Sequence, residues 1–150
     1  MKATMTSINP PHTTNIFEGR KIVEWRTFAL PEGLHYIYET KRCFGLGMVI
    51  GTLEISRNYT FNTVDEIPDY LIDAGCVPRD FLRAYAKGRR LFANVIYDAK
   101  RFENPQPLDS YFKYNEDTLR CNKSGYFSCH NCGKSCRVVR APQCYCFIQV

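Results

Sequence analysis

SINPPHTTNIFEGRKIVEWR, residues 7–26, is the stretch on which the fold reading turns, and its last seven residues raise the functional question. Directly after a Glu-Gly pair, Arg20 to Arg26 bring together three cations, a carboxylate and an indole. Segment 21–27 alternates as a strand does, with Ile22, Glu24 and Arg26 on one face and Val23 and Trp25 on the other. Such a strand is either a solvated surface element or the floor of a site for a charged, planar ligand.

Outward from that strand, Pro31-Glu32-Gly33 signals a turn, and residues 35–41 are rich in β-formers. A Gly-containing turn at 44–47 leads to a second strand at 48–55, so the pair reads as a hairpin, with Gly51 marking a bulge or a close backbone approach. Between 64 and 87 the period changes. Asp65 caps a short helix carrying Ile67, Tyr70 and Leu71, and Pro78 opens a second helix with Phe81, Leu82 and Tyr85 on one stripe, ended by Gly88. Residues 91–102 return to strand, 104–108 read as a loop, and CYCFIQV closes the chain as a last strand. Strands with one helical insert suggest a small mixed barrel.

The chain's 150 residues suit one domain with one sizeable core. A hydrophobic fraction of 45% excludes a disordered chain, and no apolar run reaches the roughly 18 residues that span a membrane. The first fourteen residues lack the apolar core of a signal peptide and carry a Pro-Pro pair, which leads to the expectation of a cytoplasmic protein. In a reducing compartment the eight cysteines are read for metal binding before disulfides. A formal charge of +5 is compatible with a polyanionic partner and does not demand one.

The order of elements resembles an ASCH domain, a branch of the PUA-like superfamily. Ser7-Ile8-Asn9-Pro10 is similar to that family's opening strand, which a short helix follows, and Gly19 to Arg26 matches its Gly-x-Lys-x-x-Glu-x-Arg element. The hairpin at 37–55, the Tyr85 to Gly88 turn, the strand and loop at 92–112 and the terminal RAPQCYCFIQV keep the family order. The resemblance implies an α+β fold: a small PUA-like mixed β-barrel with short flanking helices, residues 1–150 forming a single domain. It also implies a cleft between barrel and helices that accommodates RNA or a modified base.

Within such a cleft, Lys21 and Arg26 would neutralise phosphate and Glu24 would read a base edge. Tyr38 and Tyr145 would stack, with Trp25 and Tyr36 as further candidate surfaces, while Arg140 and Gln143 would line the wall. The competing reading keeps Trp25 in the core and makes Glu24 and Arg26 a surface ion pair. Some ASCH relatives are amidohydrolases of N4-acylated cytidine that use a Lys, a Thr three residues on and a distant Glu. Lys21 matches the first position, but Glu24 stands where the Thr would be, which removes the expected nucleophile. Were the chain an enzyme, a nucleoside hydrolase or a ribonuclease, Lys21 and Glu24 would be the catalytic pair.

Residues 114–137 look like a Cys-rich insertion before the last strand. Cys121, Cys129, Cys132 and Cys136 can close a tetrahedral shell around zinc, or around another thiophilic centre such as an iron–sulfur cluster, as a structural metal knuckle. The alternatives are a loop of free thiols and a redox Cys-x-x-Cys pair. Cys144 and Cys146 alternate on the last strand and are expected as small buried hydrophobes. The reading that unites these features is a module binding single-stranded RNA or another nucleic acid, with no membrane association. Small-hydrolase chemistry is the first alternative, and a protein-interaction adaptor using the Cys-rich lobe is the second.

Overall fold

The computed structural model describes residues 1–114 and 137–150. Seven strands among these residues form one mixed sheet in the order β2-β5-β4-β3-β1-β7-β6. They are β1 (Lys2–Ile8), β2 (Val23–Arg26), β3 (Gly33–Glu39), β4 (Met48–Phe61), β5 (Leu91–Gln106), β6 (Phe112–Lys113) and β7 (Tyr145–Gln149). Three short helices, α1 (His12–Phe17), α2 (Asp69–Ala74) and α3 (Arg79–Ala86), flank it. The α+β architecture expected from the order of elements, a mixed sheet with short flanking helices, is the one found.

β1 is buried on both faces because it runs centrally, parallel to β3 and antiparallel to β7. Its odd positions Ala3 and Met5 join one apolar cluster with Val49 and Ile148, while Thr4 and Thr6 face the other side. Thr6 is satisfied there by His35: the Thr6 hydroxyl lies 2.8 Å from Nδ1, and Nε2 lies 2.6 Å from the Pro31 carbonyl. This pattern assigns a neutral ring that accepts from Thr6 and donates to Pro31. Burial, and secondarily the Arg26 charge, push His35 below its ordinary 6.5, against the Pro31 hydrogen bond.

The β3–β4 pair is the expected hairpin, but both of its outer partners run further than the sequence suggested. β4 reaches Phe61, and β5 continues through Asn104, Pro105 and Gln106, residues read from sequence as a loop. Pro105 is tolerated because the β4 pairing skips past it, from Arg101 opposite Gly51 to Gln106 opposite Val49. Two more register shifts between β4 and β5 add local twist and bend the sheet.

The helical insert also differs in detail. Val64–Glu66 is a 3-10 turn and Pro68 stands at the N-cap of α2, because the residue before a proline is driven to extended backbone, as Ile67 is. Pro78 likewise sits at the N-cap of α3 and not inside it. The insert packs Leu71, Val77 and Leu82 on Val23 and Trp25, covering one face of β2 and β5. Of the stripe read from sequence, Leu82 is core, whereas Phe81 stays 56% exposed. Cys144, expected to be buried, is exposed, and Cys146 is half-buried with its thiol pushed up by burial.

Gly51 fulfils its sequence reading as a close approach. A Cβ there would overlap the Lys100 carbonyl and sit 2.7 Å from the Phe17 ring. Gly51→Ala is therefore expected to lose roughly 1 to 3 kcal/mol of unfolding free energy through overpacking, measured by urea titration. A loss within error of zero would mean that α1 does not press on the sheet at this point.

Candidate functional site

The parallel pairing of β1 and β3 brings both carboxyl ends to one edge of the barrel, and β7, antiparallel to β1, begins there. The segments leaving those ends surround an open cleft of about 660 Å³. Ser7 lies at the end of β1 and Asn9 just after it, Tyr38 lies at the end of β3 with Thr40, Lys41 and Arg42 beyond it, and Ala141 to Gln143 precede β7. β2 supplies the floor, and α3 closes the far wall with Phe81, Leu82 and Tyr85.

On the floor, the charged strand is neither surface nor free. Lys21 is 1% exposed and Glu24 7%. Lys21 Nζ donates to the Gly75 carbonyl at 2.6 Å and lies 3.4 Å from Glu24 Oε2. Arg26 Nε donates to Glu24 Oε1 at 3.0 Å, and its terminal nitrogen donates to the Ser7 carbonyl at 2.9 Å. Burial acts to raise Glu24, but the charges of Lys21 and Arg26, with the Arg26 hydrogen bond, hold its carboxyl below the ordinary 4.5. The surface-ion-pair reading fails on this burial, although Trp25, 5% exposed, does belong to the core as that reading held. Its indole abuts Gly75, where a side chain would overlap the ring.

Lys21, Glu24, Arg26, Tyr38 and Gln143 all line the cleft, so five of the seven residues nominated from sequence converge. The other two do not line it. Tyr145 packs on Phe28 and Phe147, with ring centroids 6.0 and 5.8 Å away, and Arg140 is exposed outside it. Tyr36, a further stacking candidate, does not line the cleft and packs edge-on against Tyr111 at 5.3 Å. Strand alternation explains it: Tyr36 and Tyr38 share a face along β3, but only Tyr38 is close enough to the carboxyl end to reach the cleft.

Sequence reasoning missed His12, Lys41, Arg42 and Phe81. Burial, then the charges of Lys21 and Arg26, push His12 below 6.5 against the pull of Glu24, so it is a neutral imidazole beside the network. Its Nδ1 and the Trp25 Nε1 are buried without a hydrogen-bond partner among the described residues. A buried orphan polar atom destabilises by roughly 1 to 3 kcal/mol, which favours a ligand that can satisfy it. The signal for Lys41 and Arg42 was their position just after a strand whose neighbour is parallel, a pairing that sequence alone did not reveal.

The four cysteines nominated as metal ligands lie outside the described residues, and no group of metal-ligating side chains occurs among the described ones. No helix among the described residues is long and apolar enough to cross a membrane.

Because the fold keeps His12 and His35 neutral, the stability they confer is complete above pH 6.5 and is lost as pH falls through their lowered values. Glu24 works the same way in a lower window: its contribution is complete above pH 4.5 and vanishes as the carboxyl protonates below that. Urea melts should thus show unfolding free energy declining below pH 6.5 and again below 4.5; a flat profile from pH 8 to 4 contradicts the geometry. At pH 7, Glu24→Gln strands a buried lysine and a partly buried arginine and should lose roughly 3 to 5 kcal/mol.

No family model matches the sequence, and neither does any curated protein. Solved structures do match. ASCH from Zymomonas mobilis is 19% identical, with a TM-score of 0.68 over 98% of this chain and 87% of its own. A tyrosine-to-phenylalanine variant of that protein is 18% identical, with a TM-score of 0.66 over 99% and 91%. A serine-to-alanine variant gives 18% and 0.65 over 98% and 88%. At such identity the likeness carries the fold and leaves function to the site. Over nearly its whole length the chain shares the fold of that ASCH structure.

Proposed function

We propose that the cleft binds nucleic acid, holding a single-stranded segment or one modified base. The observation that carries this reading is the composition of the walls. Among the described residues, four cations (Lys21, Arg26, Lys41 and Arg42) and one carboxylate line the cleft together with the rings of Trp25, Tyr38, Phe81 and Tyr85. Excess positive charge beside π faces suits a polyanion whose bases are unstacked. The division of labour differs from the sequence expectation. Lys21 is spent on Gly75 and Glu24, so Lys41 and Arg42 at the mouth meet phosphate, while the floor supplies the field. Glu24, each oxygen of which keeps a lone pair, and the Asn9 and Gln143 amides offer acceptors and donors for a base edge.

A hydrolase acting on a modified nucleoside or on RNA is the second reading, favoured by neutral His12 with Nδ1 unpartnered in the same cleft. Against it, the Ser7 hydroxyl donates to the Pro142 carbonyl at 2.7 Å and the Thr40 hydroxyl to Asn9 Oδ1 at 2.5 Å. Neither acceptor is a base, so neither hydroxyl is activated for attack.

The only tryptophan, Trp25, is a built-in reporter of the cleft. Titrating its fluorescence with single-stranded RNA and DNA should give affinity that falls with salt, with a logarithmic slope of about 0.7 per phosphate contact. Lys41→Ala and Arg42→Ala should each reduce that slope by about one contact. Salt-independent binding, or slopes indifferent to both substitutions, would reject the proposal. Recovery of cleaved or deacylated product from the same samples would favour the hydrolase.

For the Cys-rich segment we propose a structural zinc held by Cys121, Cys129, Cys132 and Cys136, supported by their spacing and by four soft donors in a polar stretch. Metal analysis of protein produced in zinc-supplemented medium should find one zinc per chain, released by Cys132→Ser; metal-free chains with four reactive thiols in this segment would refute it.

A further inference from the structure

Beside the cleft, the β3–β4 connection displays a ring that no element of the fold uses. Phe44 is fully exposed, at 104% of its reference area, and does not line the cleft. Its backbone is in the left-handed region, φ 64°, directly after Cys43 at φ 51°. Such conformations are unfavourable for side chains other than glycine and persist only where the surroundings enforce them.

The enforcement is visible. Glu39, buried at the end of β3, accepts the Leu46 amide at 2.9 Å on Oε2 and the Thr13 hydroxyl at 2.6 Å on Oε1. Its own carbonyl accepts the Gly47 amide at 3.0 Å, and the Gly45 amide closes onto Arg42 at 3.1 Å. Gly45 packs so tightly on the Thr40 carbonyl that no Cβ fits. Thr40 in turn is held by Ile8 and Asn9 at the end of β1. The loop is fastened at both feet, and the strain at its tip turns the phenyl ring into solvent.

Lys41 and Arg42, which line the cleft mouth, stand three and two residues before that ring on the same loop. Two cations followed by a pre-positioned aromatic face offer a single strand two kinds of contact: phosphate on the cations, next base on the ring. We propose that Phe44 is a second base-binding site, a stacking platform for the nucleotide adjoining the one held in the cleft, so that the ligand is an oligonucleotide and not a free nucleoside. This inference rests on the nucleic-acid reading of the cleft and adds a length requirement to it.

The test is a ladder of single-stranded RNA from one to six nucleotides against wild type, Phe44→Ala, Phe44→Leu and Phe44→Tyr. Because the ring is fully exposed, these variants should fold normally. Wild-type affinity should step up between one and three nucleotides. Phe44→Ala should remove that step, a loss of about fivefold to a hundredfold on the hexamer, while leaving mononucleotide affinity unchanged. Phe44→Tyr should retain the step and Phe44→Leu should not, which separates stacking from greasiness. Equal hexamer affinity in wild type and Phe44→Ala would overturn the platform and leave the cleft reading standing. Binding of no RNA by wild type would overturn both. Loss of self-association in Phe44→Ala, with RNA affinity unchanged, would assign the ring to a protein contact instead.

Discussion

A buried carboxylate between a buried lysine and a partly buried arginine holds this molecule together where its pieces meet. Glu24 sits at the centre, and through Lys21 and Arg26 it links three elements distant in sequence: β2, the Gly75 carbonyl beyond α2, and the Ser7 carbonyl at the end of β1. β2 stands at one end of the strand order and β1 near the other, so Arg26 bridges parts of the sheet that are not hydrogen-bonded neighbours. Desolvating three charges is expensive, and Coulomb attraction offsets it only with good geometry and with the remaining donors satisfied. Here they are met by backbone carbonyls. What the network secures is position: the helical insert is set over Trp25, and the cleft floor is fixed before any ligand arrives.

The rest of the cleft follows from strand direction. Parallel β1 and β3 deliver their last residues to the same edge, so one hairpin loop and one post-strand turn face each other across it. Glu39 carries out for the hairpin loop what Glu24 does for the floor, using a buried carboxylate to hold a loop amide and the Thr13 hydroxyl of α1. The two carboxylates differ in what satisfies them. Glu39 is met by neutral donors and is purely a brace, whereas Glu24 is met by cations and leaves the cleft net positive.

Much of this was legible in the residues. The hairpin with its tight Gly51, the breaks at Gly75 and Gly88, and the convergence of Lys21, Glu24 and Arg26 with Tyr38 and Gln143 all rest on local signals or on family order. What was not legible depends on pairing. Alternation placed Glu24 and Arg26 on one strand face but could not say what would meet them there, because the partners are Lys21, itself donating to Gly75, and the Ser7 carbonyl at the end of β1. Tyr145 lost its nominated role because it packs on Phe28, a residue with no sequence signal tying it to the last strand. Likewise, β5 ran past Pro105 because a register shift removed the need for its amide.

The same carboxylate that organises the floor also steers the chemistry. A threonine at position 24 would supply a hydroxyl but no charge. Lys21 and Arg26 would then face each other as like charges, since Glu24 is the one carboxylate lining the cleft among the described residues. Cations set side by side without that counter-ion repel each other, so the floor could not keep this geometry. With a glutamate there, Lys21 is instead held as an ion-pair partner that donates to Gly75. Glu24 thus gives the cleft a rigid floor that stays electropositive.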